Sequence, residues 1–145
     1  KKEKNFMKSR LNERNINNFI FLEDFYNIRS LISICDVILY PTLDMSEKQE
    51  IPMILLESLS MKKPVIITDM PPLNEILKLK CGIKVKKGDF KDISRVLLEF
   101  VKNKKLRRVM GENGRKMVSR YFNIIDIAKI YEGLYQDILV GKYHE

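Results

Sequence analysis

The sequence has no tryptophan, one histidine and two cysteines in 145 residues. The histidine, His144, stands next to last, which excludes histidine triads and histidine metal sites within this chain. Cys35 and Cys81 lie far apart with no CxxC, so neither a zinc site nor a disulfide framework is indicated. Both sit beside apolar segments and read as small buried hydrophobes of a reducing compartment. No apolar run approaches the ~20 residues of a membrane span, and no signal peptide opens the chain. The first residue is Lys1 rather than Met, so the sequence reads as a piece of something longer.

What is present points to a folded domain. Apolar residues make up 45% of the chain, which excludes wholesale disorder. Four short apolar runs have strand length: Phe19–Leu22, Val37–Tyr40, Pro64–Thr68 and Cys81–Val85. Helical spacing separates them. Asn5–Leu11 forms a polar candidate, Ile28, Leu31, Ile32 and Cys35 recur at helical intervals, Met53–Met61 is nearly all apolar, and Leu73–Leu79 is a short candidate after Pro71-Pro72. From residue 90 the pattern is helical only, with stripes beginning at Phe90, Leu106 and Ile124, and Gly111 and Gly114 permit close approach in the second. Continuous apolar strands alternating with helices predict an α/β fold, a doubly wound parallel sheet of about four strands. Residues 1–145 form one domain, and residues 90–145 are its helical tail.

Charge is uneven. The net charge is +8, yet residues 78–120 alone carry 15 Lys/Arg against four acids, leaving the remainder at −3. Such a block can be the solvated face of two helices or a surface for anionic lipid. On the helix from Phe90, Lys91, Arg95 and Lys102 share a side, and Lys105, Arg108 and Arg115 repeat the arrangement on the next. No RNA-binding signature or helix-turn-helix pattern accompanies the block, so no nucleic-acid partner is expected.

The chemistry concentrates between residues 35 and 69. Strand Val37–Tyr40 ends at Pro41-Thr42, and a polar loop then leads to Ile51-Pro52-Met53 and the apolar helix. Pro suits a first helical turn. Ligands of open α/β sheets bind outside the carboxyl ends of the strands, where free N–H groups of a helix start favour phosphate or sugar oxygens. Glu57 lies about one turn inside an otherwise apolar helix, and a carboxylate there needs a partner. Sugar hydroxyls would serve, since a carboxylate accepts two hydrogen bonds from a vicinal diol. The alternative is a structural role, capping nearby backbone or pairing with Lys62 or Lys63.

Several pieces in order resemble one family. They are Cys35-Asp36-Val37-Ile38-Leu39-Tyr40-Pro41-Thr42, then Ile51-Pro52-Met53-Ile54-Leu55-Leu56-Glu57-Ser58-Leu59-Ser60, then Lys63-Pro64-Val65-Ile66-Ile67-Thr68-Asp69. Gly88-Asp89 after the fourth strand, and Gly111-Glu112-Asn113-Gly114-Arg115 leading to Tyr121-Phe122, follow in the same order. Together, over roughly residues 19–140, they resemble the donor-binding, C-terminal half of retaining, nucleotide-sugar-dependent glycosyltransferases of the GT-B fold, specifically group 1 (family 4).

The resemblance implies roles by position. Glu57 corresponds to the family's second glutamate and would hold the ribose of the donor nucleotide. Its first glutamate, which contacts the donor sugar, falls on Gln49, or on Glu50 if the loop is one residue shorter; a third possibility is that neither touches substrate. Gln49 would keep a hydrogen bond but bring no charge to an oxocarbenium-like transition state. Backbone around Ile51, Pro52 and Met53 would meet the diphosphate, with Thr42 beside it. The donor is a UDP- or GDP-type sugar, with no resident cofactor and no metal. Departures stand at Asp69-Met70-Pro71-Pro72, where the family has a Gly-Gly pair, and at Glu23, where it often has Gly. Prolines there remove N–H donors. The family's Arg, Lys and acceptor-domain histidine are not in this chain, so a missing N-terminal acceptor domain is the implied partner and the piece alone is expected to be inactive. The implied place of action is cytoplasmic, peripheral at the inner membrane face, on glycan or lipid acceptors. The alternative is a non-catalytic nucleotide-sugar-binding or membrane-docking module with a degenerate transferase fold.

Overall fold

Three of the four apolar runs pair into one parallel sheet. The computed structural model describes residues 2–23, 26–44 and 51–142. Strands β1 (Ile38–Tyr40), β2 (Val65–Thr68) and β3 (Gly82–Val85) lie in sequence order, with Ile38 opposite Val65 and Val65 opposite Gly82. Every residue of β2 is buried. Val65 and Ile67 enter one apolar cluster and Ile66 the other, the alternation expected when both faces of a strand are covered.

Helix α1 (Lys2–Glu13) precedes α2 (Ile28–Ile34), whose Asn27 cap accepts from the Ser30 N–H. One sheet face is covered by α3 (Met53–Ser60) with Leu55 and Leu59, by the 3-10 turn Leu73–Leu77, and by Met117 of α5 (Lys104–Tyr121). The other face receives Val96 and Phe100 of α4 (Phe90–Lys102). Asp89 starts α4 by accepting from the N–H groups of Lys91 and Asp92, and Asn103 starts α5 through the Leu106 N–H. These short polar side chains satisfy donors that a helix start leaves unpaired. Phe90 and Val101, at the two ends of the expected α4 stripe, are exposed instead.

Helix α6 (Ile124–Leu139) completes the helical tail but buries none of its residues, although Ile130, Tyr131, Leu134 and Tyr135 recur along it. No helix among the described residues is long and apolar enough to cross a membrane.

Phe19–Leu22 is not a strand. Ile20 is 83% exposed, and the rings of the segment make only local contacts, Phe19 against Phe21 at 6.3 Å and the Lys8 ammonium of α1 over Phe21 at 5.9 Å. An apolar run becomes a strand only where a neighbouring backbone accepts its hydrogen bonds, and among the described residues β1 pairs with β2 alone. The described sheet therefore has three strands, not four. Of the cysteines, Cys81 is buried, whereas Cys35 is only partly so.

Candidate functional site

Thr42 and the segment Ile51, Pro52 and Met53 lie at the carboxyl ends of β1 and β2. Helix α3 runs back across the sheet from β1 to β2, so its first turn lies at the end where Tyr40 and Thr68 stop. Pro52 occupies its N-cap position and supplies no side-chain hydrogen bond. The Leu55 N–H turns back onto the Pro52 carbonyl at 2.9 Å, and the N–H groups of Met53 and Ile54 have no intrahelical acceptor. Ile51 and Pro52 are half-buried, and Met53 is exposed.

Thr42 is held by two bonds. Its carbonyl accepts from the Thr68 hydroxyl at 2.8 Å, and its own hydroxyl donates to the Asp44 carbonyl at 2.8 Å. The buried Thr68 thus ties the loop after β1 to the end of β2. Gln49 and Glu50 lie outside the described residues.

Glu57 is half-buried in the middle of α3, and no hydrogen bond or ion pair joins its carboxylate to any other described residue. The two lysines that follow its helix are engaged elsewhere. Lys62 pairs with Glu112 at 3.0 Å, and Lys63 donates to the Ser33 carbonyl at 2.7 Å. The structural role considered for Glu57, a cap or a lysine pair, is not the one it takes.

Its helix is fixed from behind. Gly111 and Gly114 of α5 are buried against α3 and the turn after it, and Arg115 donates to the Ser60 carbonyl at 3.0 Å. The Gly-Glu-Asn-Gly-Arg segment thus serves as a brace: it satisfies the carboxyl end of α3 and sets the position of the helix that carries Glu57.

One cluster at this end is not evident from the sequence, where residues 69–75 read as a proline-stiffened loop. Asp69, directly after β2, accepts from Asn74 Nδ2 at 2.8 Å and pairs with Lys84 Nζ at 3.0 Å. The Asn74 amide and then the Lys84 ammonium hold its carboxyl below the usual carboxylate range. Asn74 Oδ1 is the one buried side-chain polar atom without a partner among the described residues. Parallel register creates the cluster, since Lys84 pairs with Ile67, two residues before Asp69. A buried acceptor and bare N–H groups at one sheet end can meet hydroxyls and oxyanions. Among the described residues no three His, Cys, Asp or Glu side chains group as a metal site.

Comparison with known proteins identifies the family and the fold. Residues 1–117 match the family described as glycosyl transferases group 1. The chain is 28% identical over 121 residues to an N-acetyl-alpha-D-glucosaminyl L-malate synthase of Bacillus anthracis, covering 83% of this chain and 31% of that protein. It is 31% identical over 85 residues to a capsular polysaccharide biosynthesis glycosyltransferase of Staphylococcus aureus, covering 58% of this chain and 22% of that protein. An uncharacterized glycosyltransferase of Methanocaldococcus jannaschii matches at 28% identity over 117 residues, 77% of this chain and 32% of its own length. In fold, the chain superposes on a sucrose-phosphate synthase of Thermosynechococcus elongatus with a TM-score of 0.77 at 20% identity, over 95% of this chain and 35% of that one. The chain therefore spans a third or less of the curated relatives it matches.

Proposed function

The chain belongs to the group 1 glycosyl transferases, with the fold of a GT-B C-terminal domain, and from that premise we propose that it is the single donor-binding domain of a retaining hexosyltransferase. The donor is a nucleotide-diphosphate sugar of UDP or GDP type, and the acceptor is a glycan or lipid. Neither a resident cofactor nor a metal takes part.

Glu57 carries the reading. A half-buried carboxylate without a described partner, one turn inside an apolar helix, is costly to keep unless a ligand completes it. The ribose diol is the ligand that matches two carboxylate oxygens. The uncapped first turn of α3 at Ile51, Pro52 and Met53 receives the diphosphate, with Thr42 closing the side. Gln49 or Glu50 meets the donor sugar. Asp69 and Lys84 stand at the same end of the sheet and are available to hydroxyls of the bound donor.

Catalysis needs more than this domain. Retaining transfer requires electrostatic stabilisation of the leaving diphosphate and an acceptor fixed against the sugar. An N-terminal acceptor domain supplies both, and this chain by itself transfers no sugar. The unburied apolar face of α6 favours this view, because such a face is normally covered in a complete protein. The capsular role of the Staphylococcus aureus relative favours polysaccharide assembly, which we place at the cytoplasmic side of the membrane.

The reading is tested in a protein that carries both halves. Glu57→Gln should weaken nucleotide-sugar binding by roughly 1–3 kcal/mol with the fold intact, the scale of a lost charged hydrogen-bond acceptor. Unchanged affinity for UDP- and GDP-sugars removes Glu57 from the site.

A further inference from the structure

The opposite end of the sheet holds a second concentration of chemistry. Asp36 and Pro64, just before β1 and β2, border a cavity of about 540 Å³. Its wall carries Lys62 and Lys63 from the turn after α3, and Lys104, Lys105, Arg107 and Arg108 from the start of α5. Six cations meet one carboxylate, Asp36, and that carboxylate is already taken by Arg107 at 3.3 Å. Arg107 is pinned further by the carbonyls of Phe100 and Val101. Lys62 and Lys63 are held by Glu112 and Ser33. Lys104, Lys105 and Arg108 are exposed, and their side chains make no hydrogen bond or ion pair with any described residue.

Such a cleft is unfavourable on its own account. The first turn of α5 has no acid, so its cations crowd the positive end of the helix dipole. Lys62 holds φ +61°, where glycine is the ordinary occupant, and so brings a charged side chain to a position that strain disfavours. The turn at Lys62 also ends α3, with the Lys63 N–H closing onto the Ser58 carbonyl at 2.9 Å, whereas the uncompensated cations at the start of α5 cost stability. A bound polyanion turns repulsion among the cations into attraction, and walls of one charge sign concentrate such a ligand. The volume is that of a small-molecule site, and the guanidinium of Arg108 matches phosphate oxygens in fork geometry.

We propose that this cleft binds a multiply charged phosphate group, at a site separate from the donor end of the sheet. The phosphate belongs either to a soluble ligand or to an anionic phospholipid headgroup, and the basic character of residues 78–120 extends from the cleft across α4 and α5. Within that wider block Arg95 is neutralised by Asp92 at 2.6 Å, whereas the cleft residues Lys104, Lys105 and Arg108 have no counter-ion among the described residues and can meet a ligand.

The test uses the full chain, titrated with inorganic pyrophosphate and followed by backbone amide resonances. Shifts should appear at Asp36, Lys62, Lys63 and Lys104–Arg108. The double variant Lys105→Glu, Arg108→Glu should lose affinity about tenfold or more, the scale of lost charge-assisted hydrogen bonds, while its ligand-free melting temperature rises. Lys105→Ala, Arg108→Ala should lose affinity similarly without reversing charge. The control Lys91→Glu, Lys102→Glu, with the same change in net charge as the first double variant, should bind as the parent does. In a parallel arm, co-sedimentation with phosphatidylglycerol vesicles but not phosphatidylcholine vesicles, lost in the cleft variants, identifies a headgroup as the source. Pyrophosphate shifts without such pelleting identify a soluble ligand. Absence of a cleft response in both arms, equal weakening by the control, or binding that survives in the cleft variants would overturn the proposal.

Discussion

A β-carbon built on Gly111 lies 2.1 Å from the carbonyl oxygen of Lys62. No such pair of atoms can approach that closely, so α5 meets the end of α3 backbone to backbone. The contact fixes the turn that carries Lys62 on one side, and on the other it sets the helix that carries Glu57. One junction therefore governs both ends of the sheet.

Gly111→Ala should accordingly destabilise the fold by on the order of 3 kcal/mol, since tilting α5 away from Lys62 opens the α3 contact. Gly133, in the exposed middle of α6, has nothing within 4 Å of a β-carbon placed on it. Gly133→Ala should instead stabilise by about 1 kcal/mol, the ordinary helix-propensity gain. Urea unfolding of the two variants reads the opposite signs. Equal changes would show that the α3–α5 junction is not under the constraint described.

The two thiols should behave differently. Cys81 is buried and donates to the Ile76 carbonyl at 2.8 Å, and burial pushes its thiol up to about 11 from an ordinary value near 9. Cys35 is only partly buried. A thiol reagent at mild alkaline pH should titrate Cys35 in the native chain and Cys81 only on unfolding. Because folding favours the protonated Cys81, its contribution is complete below pH 9 and is lost as pH rises through about 11. Cys81→Ala should flatten that part of the stability profile, and an unchanged slope contradicts the assignment.

Much of this was legible in the sequence, for physical reasons that also mark its limits. Pro64–Thr68 stands out because a strand covered on both faces is apolar throughout, whereas Val37–Tyr40 and Cys81–Val85 are legible as short apolar runs although Leu39 and Lys84 are exposed. Phe19–Leu22 carries the same local signal and forms no strand, since composition does not state whether a pairing partner exists. The α6 stripe is plain in sequence, yet none of its residues is buried. Glu57 is conspicuous as a carboxylate among apolar residues, but its isolation depends on Lys62 and Lys63 bonding elsewhere. The Asp69–Lys84 pair spans 15 residues and arises only from the register of β2 with β3. The cleft joins Lys62 and Lys63 to α5 from outside the basic block, a grouping that linear charge counting does not contain.

In the proposed function a nucleotide diphosphate sits at the start of α3 with its ribose on Glu57. The most direct measurement is a titration of the isotope-labelled full chain with UDP and with GDP, followed by amide and side-chain resonances. The account predicts saturable shifts at Thr42, Ile51, Met53 and Glu57 for one of the two nucleotides, removed by Glu57→Gln. Saturable shifts confined to other residues, or a titration indifferent to Glu57→Gln, would contradict it.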